Sequence, residues 1–406
     1  MVVSKFKRIS INENLIYYLL GELISKLSPF LLIPILSNIY GVESISKYAN
    51  TYLIANVTQM IVTGWLLSYI TVVYFKSRIR YRINVAVGLL ISSLVTIISL
   101  LFLLIALYLG DGVNEIIFGL FLGGAFSTNS IFLTTRQVEG KSKEYVSFNI
   151  LKSIFIFVSS IGVIHFLPDR SIDTIIALQI VITYLFSIIS VYRLYLTKCL
   201  IMPFVSVSNI KSALLFGLPL LPGIMLTPLK SLADRYIILL NYGVVFSGIY
   251  AVGYQYTLGI ALVAMSYVKS ITPNLMDALV KQDRGKVKRL FFNYTSLVVV
   301  TSFTLGGAFI LFGDYLTGSK EYNMNFMFIF VISIVIQTIS SFFTCYYQVH
   351  MKTKLLMYIT LISLTLYIFV ISIFGSYSIE VLMFSMIIAN LFSLYILYYR
   401  GFKYAI

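Results

Sequence analysis

The sequence predicts an all-α polytopic membrane protein of about twelve transmembrane helices, arranged as two parallel-repeat six-helix bundles around a central cavity. Three observations predict it: continuous apolar runs long enough to span a bilayer, a one-sided distribution of basic residues between them, and a short string repeated near half the chain length. Composition narrows the class first. Of 406 residues 59% are hydrophobic and 11% charged, against roughly 25% charged in an average soluble domain. Mean hydropathy is +0.94. A soluble fold of this length cannot hide so much apolar surface, whereas lipid favours exposing it. A formal net charge of +15 raises nucleic acid as a partner. The position of the charges argues against it, because they cluster in short segments between the apolar runs.

The runs lie near 14–40, 45–75, 84–109, 114–135, 147–167 and 172–196, then near 208–241, 244–272, 289–313, 322–350, 354–374 and 378–399. Each is long enough for a helix rising 1.5 Å per residue to cross roughly 30 Å of hydrocarbon. The longer ones imply tilt, kinks or ends projecting into water. Transmembrane β-strands would instead show about ten residues of alternating pattern.

Orientation follows from the connections. Lys5, Lys7, Arg8, Lys76, Arg78, Arg80, Arg82, Arg136, Lys141, Lys143, Arg193 and Lys198 fall on one side, with Lys281, Arg284, Lys286, Lys288, Arg289, Lys352, Lys354, Arg400 and Lys403. That makes 21 basic residues, against Lys47, Arg170 and Lys320 on the other side. The basic side is therefore expected in the cytoplasm, with both termini. The basic N-terminus followed by an apolar run resembles a signal peptide, but the run carries Glu22, Lys26, Pro29 and Pro34. It reads as a retained first span. Cys199 and Cys345 imply neither a disulfide framework nor a metal site.

Tyr40-Gly41-Val42, Tyr48-Ala49 and Tyr52 recur as Tyr242-Gly243-Val244, Tyr250-Ala251 and Tyr254, each pair 202 residues apart. Both strings fall at the hairpin between the first two spans of a half. Tyr-Gly turns are common at membrane interfaces, which explains the residue types but not the shared spacing. Six spans per half orient the two copies alike, a parallel repeat as in transporters built from two similar bundles. The expected domains are residues 1–203 and 204–406.

Ionisable residues in hydrocarbon are costly and mark function by default. Glu22 and Lys26 lie in the first span; Lys230, Asp234 and Arg235 lie in the seventh. Each Glu/Lys or Lys/Asp pair is four residues apart and can share a helix face. Nearby prolines (Pro29 and Pro34; Pro219, Pro222 and Pro228) can break these helices and leave carbonyls facing a watery cavity. Lys152, Lys211 and Lys269 lie nearer the basic ends of their helices. Such a lining attracts an anion such as a phosphate or diphosphate. The competing reading is that Lys211 and Lys269 snorkel to the interface, that Arg235 does likewise, and that Glu22 with Lys26 is a neutralised packing pair.

Enzyme signatures are missing. His165 and His350 are far apart, no His/Cys/carboxylate cluster has metal spacing, and no Gly-rich phosphate loop occurs. No cofactor is expected. Gly119 and Gly123 form a GxxxG that reads as close helix packing.

Phe216-Gly217-Leu218-Pro219-Leu220-Leu221-Pro222, Ala233-Asp234-Arg235-Tyr236-Ile237-Ile238, Tyr242-Gly243-Val244, Gly248-Ile249-Tyr250-Ala251 and Tyr254-Gln255 resemble a family pattern. It is that of the bacterial O-antigen flippases (Wzx type) in the multidrug/oligosaccharidyl-lipid/polysaccharide exporter superfamily. The motifs cover about forty residues, while length, span number and duplication extend the likeness over the chain. The resemblance implies a flippase of the bacterial inner membrane in O-antigen or lipopolysaccharide biosynthesis. It would carry an undecaprenyl-diphosphate-linked glycan between leaflets, its tail remaining among membrane lipid. Proton or sodium coupling and association with other polysaccharide-assembly membrane proteins come with that implication. Lys26, Lys230 and Arg235 are then expected to hold the substrate, and Glu22 and Asp234 to serve ion coupling or charge pairing. The positions of Asp234 and Arg235 match the motif; the other three assignments rest on charge alone. A cation-coupled multidrug or other lipid-precursor exporter shares the architecture. An integral-membrane glycosyltransferase or polymerase would need a larger extramembrane loop carrying chemical groups.

Overall fold

The computed structural model describes the backbone of residues 11–109, 115–166, 171–199, 207–317, 324–374 and 379–400, with side-chain description sparsest across 26–46 and 226–259. Among the described residues every regular element is helical. The helices are α1 (Ile11–Gln59), α2 (Trp65–Lys76), α3 (Arg78–Leu109), α4 (Glu115–Val138), α5 (Ser142–Phe166) and α6 (Ile172–Leu196). They continue as α7 (Val207–Gly217), α8 (Leu221–Val280), α9 (Arg284–Thr317), α10 (Met324–Val349), α11 (Thr353–Phe374) and α12 (Ile379–Arg400). A π-helical turn, Met60–Gly64, joins α1 to α2. The chain divides into two compact units, Met1–Leu221 and Pro222–Ile406. The expected junction at 203/204 lies outside the described residues.

Helical backbone runs unbroken through the first two expected spans, as α1 with its 49 residues. Packing partners nonetheless show the chain turning back. Glu22 meets Tyr145 near the start of α5, and Leu32 and Leu36 share a core with Val163 and Ile164 near its end. This stretch therefore runs parallel to α5. Further on, Lys47 pairs with Asp173 and Tyr52 with Gln179, so the later stretch runs parallel to α6. Since α5 and α6 form an antiparallel hairpin, direction reverses between Leu36 and Lys47. That is where the Tyr-Gly string was expected to form a hairpin. In the second unit the 60-residue α8 behaves alike. Gly223 lies by Thr360 and Ile238 packs with Tyr367 and Ile371, parallel to α11. Tyr267 then stacks on Tyr294 of α9 on the return.

Seven stretches among the described residues are long and apolar enough to cross a membrane: Asn50–Lys76, Arg78–Ile105, Glu115–Val138, Ser142–His165, Ile172–Leu196, Arg284–Gly307 and Thr353–Ile371. Their outer faces are apolar. On α3, Leu90, Leu94, Ile97, Ile98 and Leu101 are exposed, as residues that face lipid should be.

The interior of the first unit is joined by close approach and by polar contacts. A Cβ on Gly119 would lie 2.7 Å from Ile54, and one on Gly123 would lie 2.6 Å from Thr58. The GxxxG thus lets α4 approach α1 closely, the packing use that its spacing suggested. Gln179, fully buried, accepts from Tyr52 Oη at 2.6 Å and donates to Ser160 Oγ at 2.8 Å. Asn129 Oδ1 accepts from Ser190 Oγ at 3.1 Å and Ser187 Oγ at 3.3 Å, linking α4 to α6. In the second unit, Tyr294 donates to the Thr338 carbonyl and Tyr347 to that of Leu397, both at 2.7 Å. Asn390 donates to Ser333 Oγ at 3.1 Å.

At its basic end the first unit is closed by Arg136, whose side chain is wholly buried. Its Nη1 lies 2.9 Å from Glu139 Oε2, its Nε 3.3 Å from Glu144 Oε2, and its Nη2 donates to Thr197 Oγ1 at 3.0 Å. The guanidinium also lies over the Phe132 ring. Lys141 reaches the same Glu139 oxygen at 3.0 Å, and the Cys199 thiol donates to Glu139 Oε1 at 3.2 Å. Counted in the sequence as a topology signal, Arg136 thus ties the end of α4 to α5 and to the end of α6. Burial pushes the Cys199 thiol up; Thr197's hydrogen bond pulls it down, and the Glu139 charge adds to the rise. Its thiolate fraction at neutral pH is therefore below that of a free cysteine.

Arg136→Ala is expected to cost about 3 kcal/mol, the low end for breaking a buried pair, because Lys141 still neutralises Glu139. In a Cys345→Ala background, maleimide labelling of Cys199 should be slow at pH 7 and quicken as pH rises, and that rise should move to higher pH in Arg136→Ala, which loses a cation that lowers this thiol's pKa. Equal labelling rates in both proteins would refute this role for Arg136.

Candidate functional site

Among the five ionisable residues singled out inside spans, Glu22 has a described side chain. Lys26, Lys230, Asp234 and Arg235 lie outside the described residues as regards their side chains. Glu22 sits on α1, partly buried, and Tyr145 of α5 donates to its Oε1 at 2.7 Å. The two helices come together here because Gly21 lacks a side chain: its Cβ would stand 3.1 Å from Val146 Cγ2. One turn earlier, the Tyr18 ring meets the Tyr145 ring edge-on at 5.0 Å. Tyr18 is 2% exposed, and its hydroxyl has no hydrogen-bond partner among the described residues. A buried hydroxyl without a protein partner marks a place that water can fill.

Lys152 joins this group from two turns further along α5 than Tyr145. It is half-buried, in electrostatic reach of Glu22, with its ammonium 5.7 Å from the Phe126 ring centre. Five residues separate it from the start of the apolar run at 147, a rise of about 7.5 Å, so it enters the span on the basic side. An ammonium at the centre of a spanning helix costs about 2.5–3.5 kcal/mol on insertion scales, and less toward its end. Glu22 and the Phe126 ring face offset part of that cost. Of the other two lysines named with it, Lys211 is exposed, as snorkelling requires, and Lys269 is half-buried.

The sequence pattern did not single out Tyr18 and Tyr145. A signal was available: Tyr18 precedes Glu22 by four residues and Tyr145 precedes Lys152 by seven, so each pair shares a helix face. Nothing in the sequence said that those two faces meet.

The Gly-x-Pro segment has its own geometry. A Cβ on Gly217 would lie 2.1 Å from Trp65 Cε3, and Phe216 packs on Tyr69 with ring centres 5.1 Å apart. The π-helical turn ends immediately before Trp65, and a 3-10 turn, Leu218–Leu220, follows Gly217. α7 thereby packs on α2 and α3 and belongs to the first unit.

Solved structures that resemble the chain are transporters. A multidrug resistance MATE family transporter of the MOP superfamily in an outward-facing conformation is 12% identical, with TM-score 0.78, over 97% of this chain and 95% of that one. The Vibrio cholerae MATE transporter VcmN in its bent form is 13% identical, with TM-score 0.76, over 97% of each chain. This chain has the fold of the MATE transporters. With the apolar spans, that makes it a multi-pass membrane protein of two-lobed, twelve-helix architecture. No family model matches the sequence. A curated relative, Lsg locus putative protein 1 of Haemophilus influenzae, is 27% identical over 293 residues, covering 68% of this chain and 69% of that protein.

Gly217→Val should drive a side chain into a rigid indole and cost about 1–3 kcal/mol, read as a lowered melting temperature in detergent. Gly162→Ala is the control: nothing lies within 4 Å of its Cβ position, so its melting temperature should hold or rise. Equal melting temperatures for Gly217→Val and the parent would exclude the close approach.

Proposed function

We propose that the chain is a flippase translocating undecaprenyl-diphosphate-linked oligosaccharide, an O-antigen or related polysaccharide repeat unit, across the bacterial inner membrane by alternating access. The observation that carries this reading is the Glu22–Tyr145 hydrogen bond near the start of α5, with Lys152 two turns further into the span of a MATE-type fold. Lys152 keeps a positive group within the span beyond what Glu22 alone serves, since Lys26 follows Glu22 by one turn. Lys230 and Arg235 outnumber Asp234 in the seventh span in the same way. An excess of cation in hydrocarbon suits a diphosphate or acidic-sugar cargo and disfavours a cationic drug. In this reading Lys26, Lys230 and Arg235 hold the substrate. Glu22, with Tyr145 donating to it, exchanges a proton or sodium ion, and Asp234 takes the corresponding part in the seventh span.

A cation-coupled multidrug exporter is the second reading, favoured by the fold that this chain shares with a multidrug resistance transporter. Leaflet analysis of lipid-linked oligosaccharide in a depleted strain separates the two. Complete units trapped on the cytoplasmic face are expected for the flippase. Unchanged pools would transfer the assignment to the multidrug exporter, and units that reach the periplasm but stay unpolymerised would indicate an enzyme.

Lys230→Ala and Arg235→Ala should each abolish surface polysaccharide at normal protein level; normal polysaccharide in both would remove them from the site. Glu22→Gln should lose gradient-driven transport while retaining exchange between leaflets at equilibrium, which reconstituted vesicles with and without an imposed proton or sodium gradient can resolve. Gradient dependence equal to that of the parent would remove Glu22 from coupling.

A further inference from the structure

On the membrane face of the first unit, α3 and α6 both pack on α4 and enclose a groove between them. Its volume is about 580 Å³, within the range of sites that take a small organic ligand, roughly 300–1,000 Å³. Ser93, Thr96 and Ile97 line it from α3, Thr128 forms its floor, and α6 lines it from Tyr184 to Tyr195. Its deep end is closed by Tyr184, whose hydroxyl lies 3.2 Å from Thr96 Oγ1 and donates to the Phe121 carbonyl at 2.7 Å. From that bridge α6 rises about 16 Å to Tyr195, roughly half of a 30 Å hydrocarbon core. The groove therefore belongs to one leaflet, the one at the basic end of the unit.

The lining holds several hydroxyls, yet they are turned inward. Thr128 bonds to Ser92 Oγ at 3.1 Å, Ser187 to the Thr183 carbonyl at 2.9 Å, and Ser93 to the Leu90 carbonyl at 2.8 Å. What remains to face an occupant is methyl, methylene and ring surface from Ile97, Ile188, Val191 and the tyrosines. The lining therefore offers a sugar little polar surface; a hydrocarbon chain needs none. Arg193 and Lys198, close in sequence to Tyr192 and Tyr195 at the groove's outer end, are both exposed. Their charge complements an anionic headgroup at the membrane surface.

We propose that this groove binds the isoprenoid chain of a polyprenyl diphosphate in the cytoplasmic leaflet, with Arg193 and Lys198 at its diphosphate. The proposal rests on the flippase reading and adds to it a seat for the lipid part of the cargo. The dry lining would seat the isoprene units nearest the diphosphate, and the exposed cations match its charge.

The test uses the purified full chain in phosphatidylcholine nanodiscs and an undecaprenyl diphosphate analogue carrying a photoreactive group in its isoprenoid chain. After illumination, label should map to peptides holding residues 93–97 and 184–195. It should fall at least fivefold in Ser93→Trp, which fills the groove from an exposed position, and in Arg193→Gln/Lys198→Gln. Unlabelled undecaprenyl phosphate should compete and phosphatidylglycerol should not. Label spread over all lipid-facing helices, label unchanged in the variants, or equal competition by phosphatidylglycerol (an ordinary membrane lipid only) overturns the proposal. Labelling reads binding and not transport. Loss of the groove with glycan lipid still trapped on depletion leaves the flippase reading intact, and the reverse outcome removes that reading alone.

Discussion

Hydrocarbon offers no hydrogen bonds, so a group that enters the membrane must find its partner inside the protein. The first unit is organised by that constraint. Gln179 lies fully buried and draws Tyr52 and Ser160 to itself, so three spans are joined at one amide. Asn129 does the same between α4 and α6 with two serines. Arg136 meets the constraint in its most expensive form, and two carboxylates, a threonine and a ring face gather around it. With lipid outside as apolar as the core, these contacts and the small-residue approach at Gly119 and Gly123 carry helix association.

Where the constraint is left unmet, function is the natural reading. Tyr18 has a buried hydroxyl with no partner among the described residues, one turn from Glu22. Lys152 holds a charge nearly three turns along α5 from Ser142 when a methionine would pack as well. Among the described residues the Tyr48 hydroxyl and the Arg136 Nε also lie buried without a hydrogen-bond partner, so what marks the Glu22 group is a carboxylate and an ammonium on spanning helices. The Arg136 cluster, as charged, lies instead at the basic end of the unit.

Much of the fold was legible in the sequence because bilayer thickness imposes a length that composition reveals. The stretches from Asn50 to Leu196 that can span a membrane coincide with apolar runs read from residue order alone. The Tyr-Gly string marked the places where direction reverses, even though helical backbone continues through both. Less legible was anything requiring two helices to meet. Arg136 reads as one more basic residue in a connection, and no pattern in the sequence places Glu139, Glu144 and Thr197 around it. Gly217 is quoted readily as part of a motif, but its cause, the Trp65 ring against the backbone, lies far away along the chain. Periodicity assigns a residue to a face; which face it meets is decided by tertiary packing.

On the proposed flippase reading, the same physics assigns different parts of an amphiphilic cargo to different parts of the first unit. A diphosphate gains from concentrated positive charge but loses its hydration on leaving the surface, so it needs cations fixed in advance where water is scarce. An isoprenoid chain gains nothing from such a place and is best left in contact with lipid. In the first unit these two environments are separate: the ionisable group lies between α1 and α5, and the dry groove lies between α3 and α6. A drug-sized cation would have no use for that division. A lipid with a charged, sugar-bearing head and a long tail requires it, because its head must cross the apolar layer while its tail never leaves it.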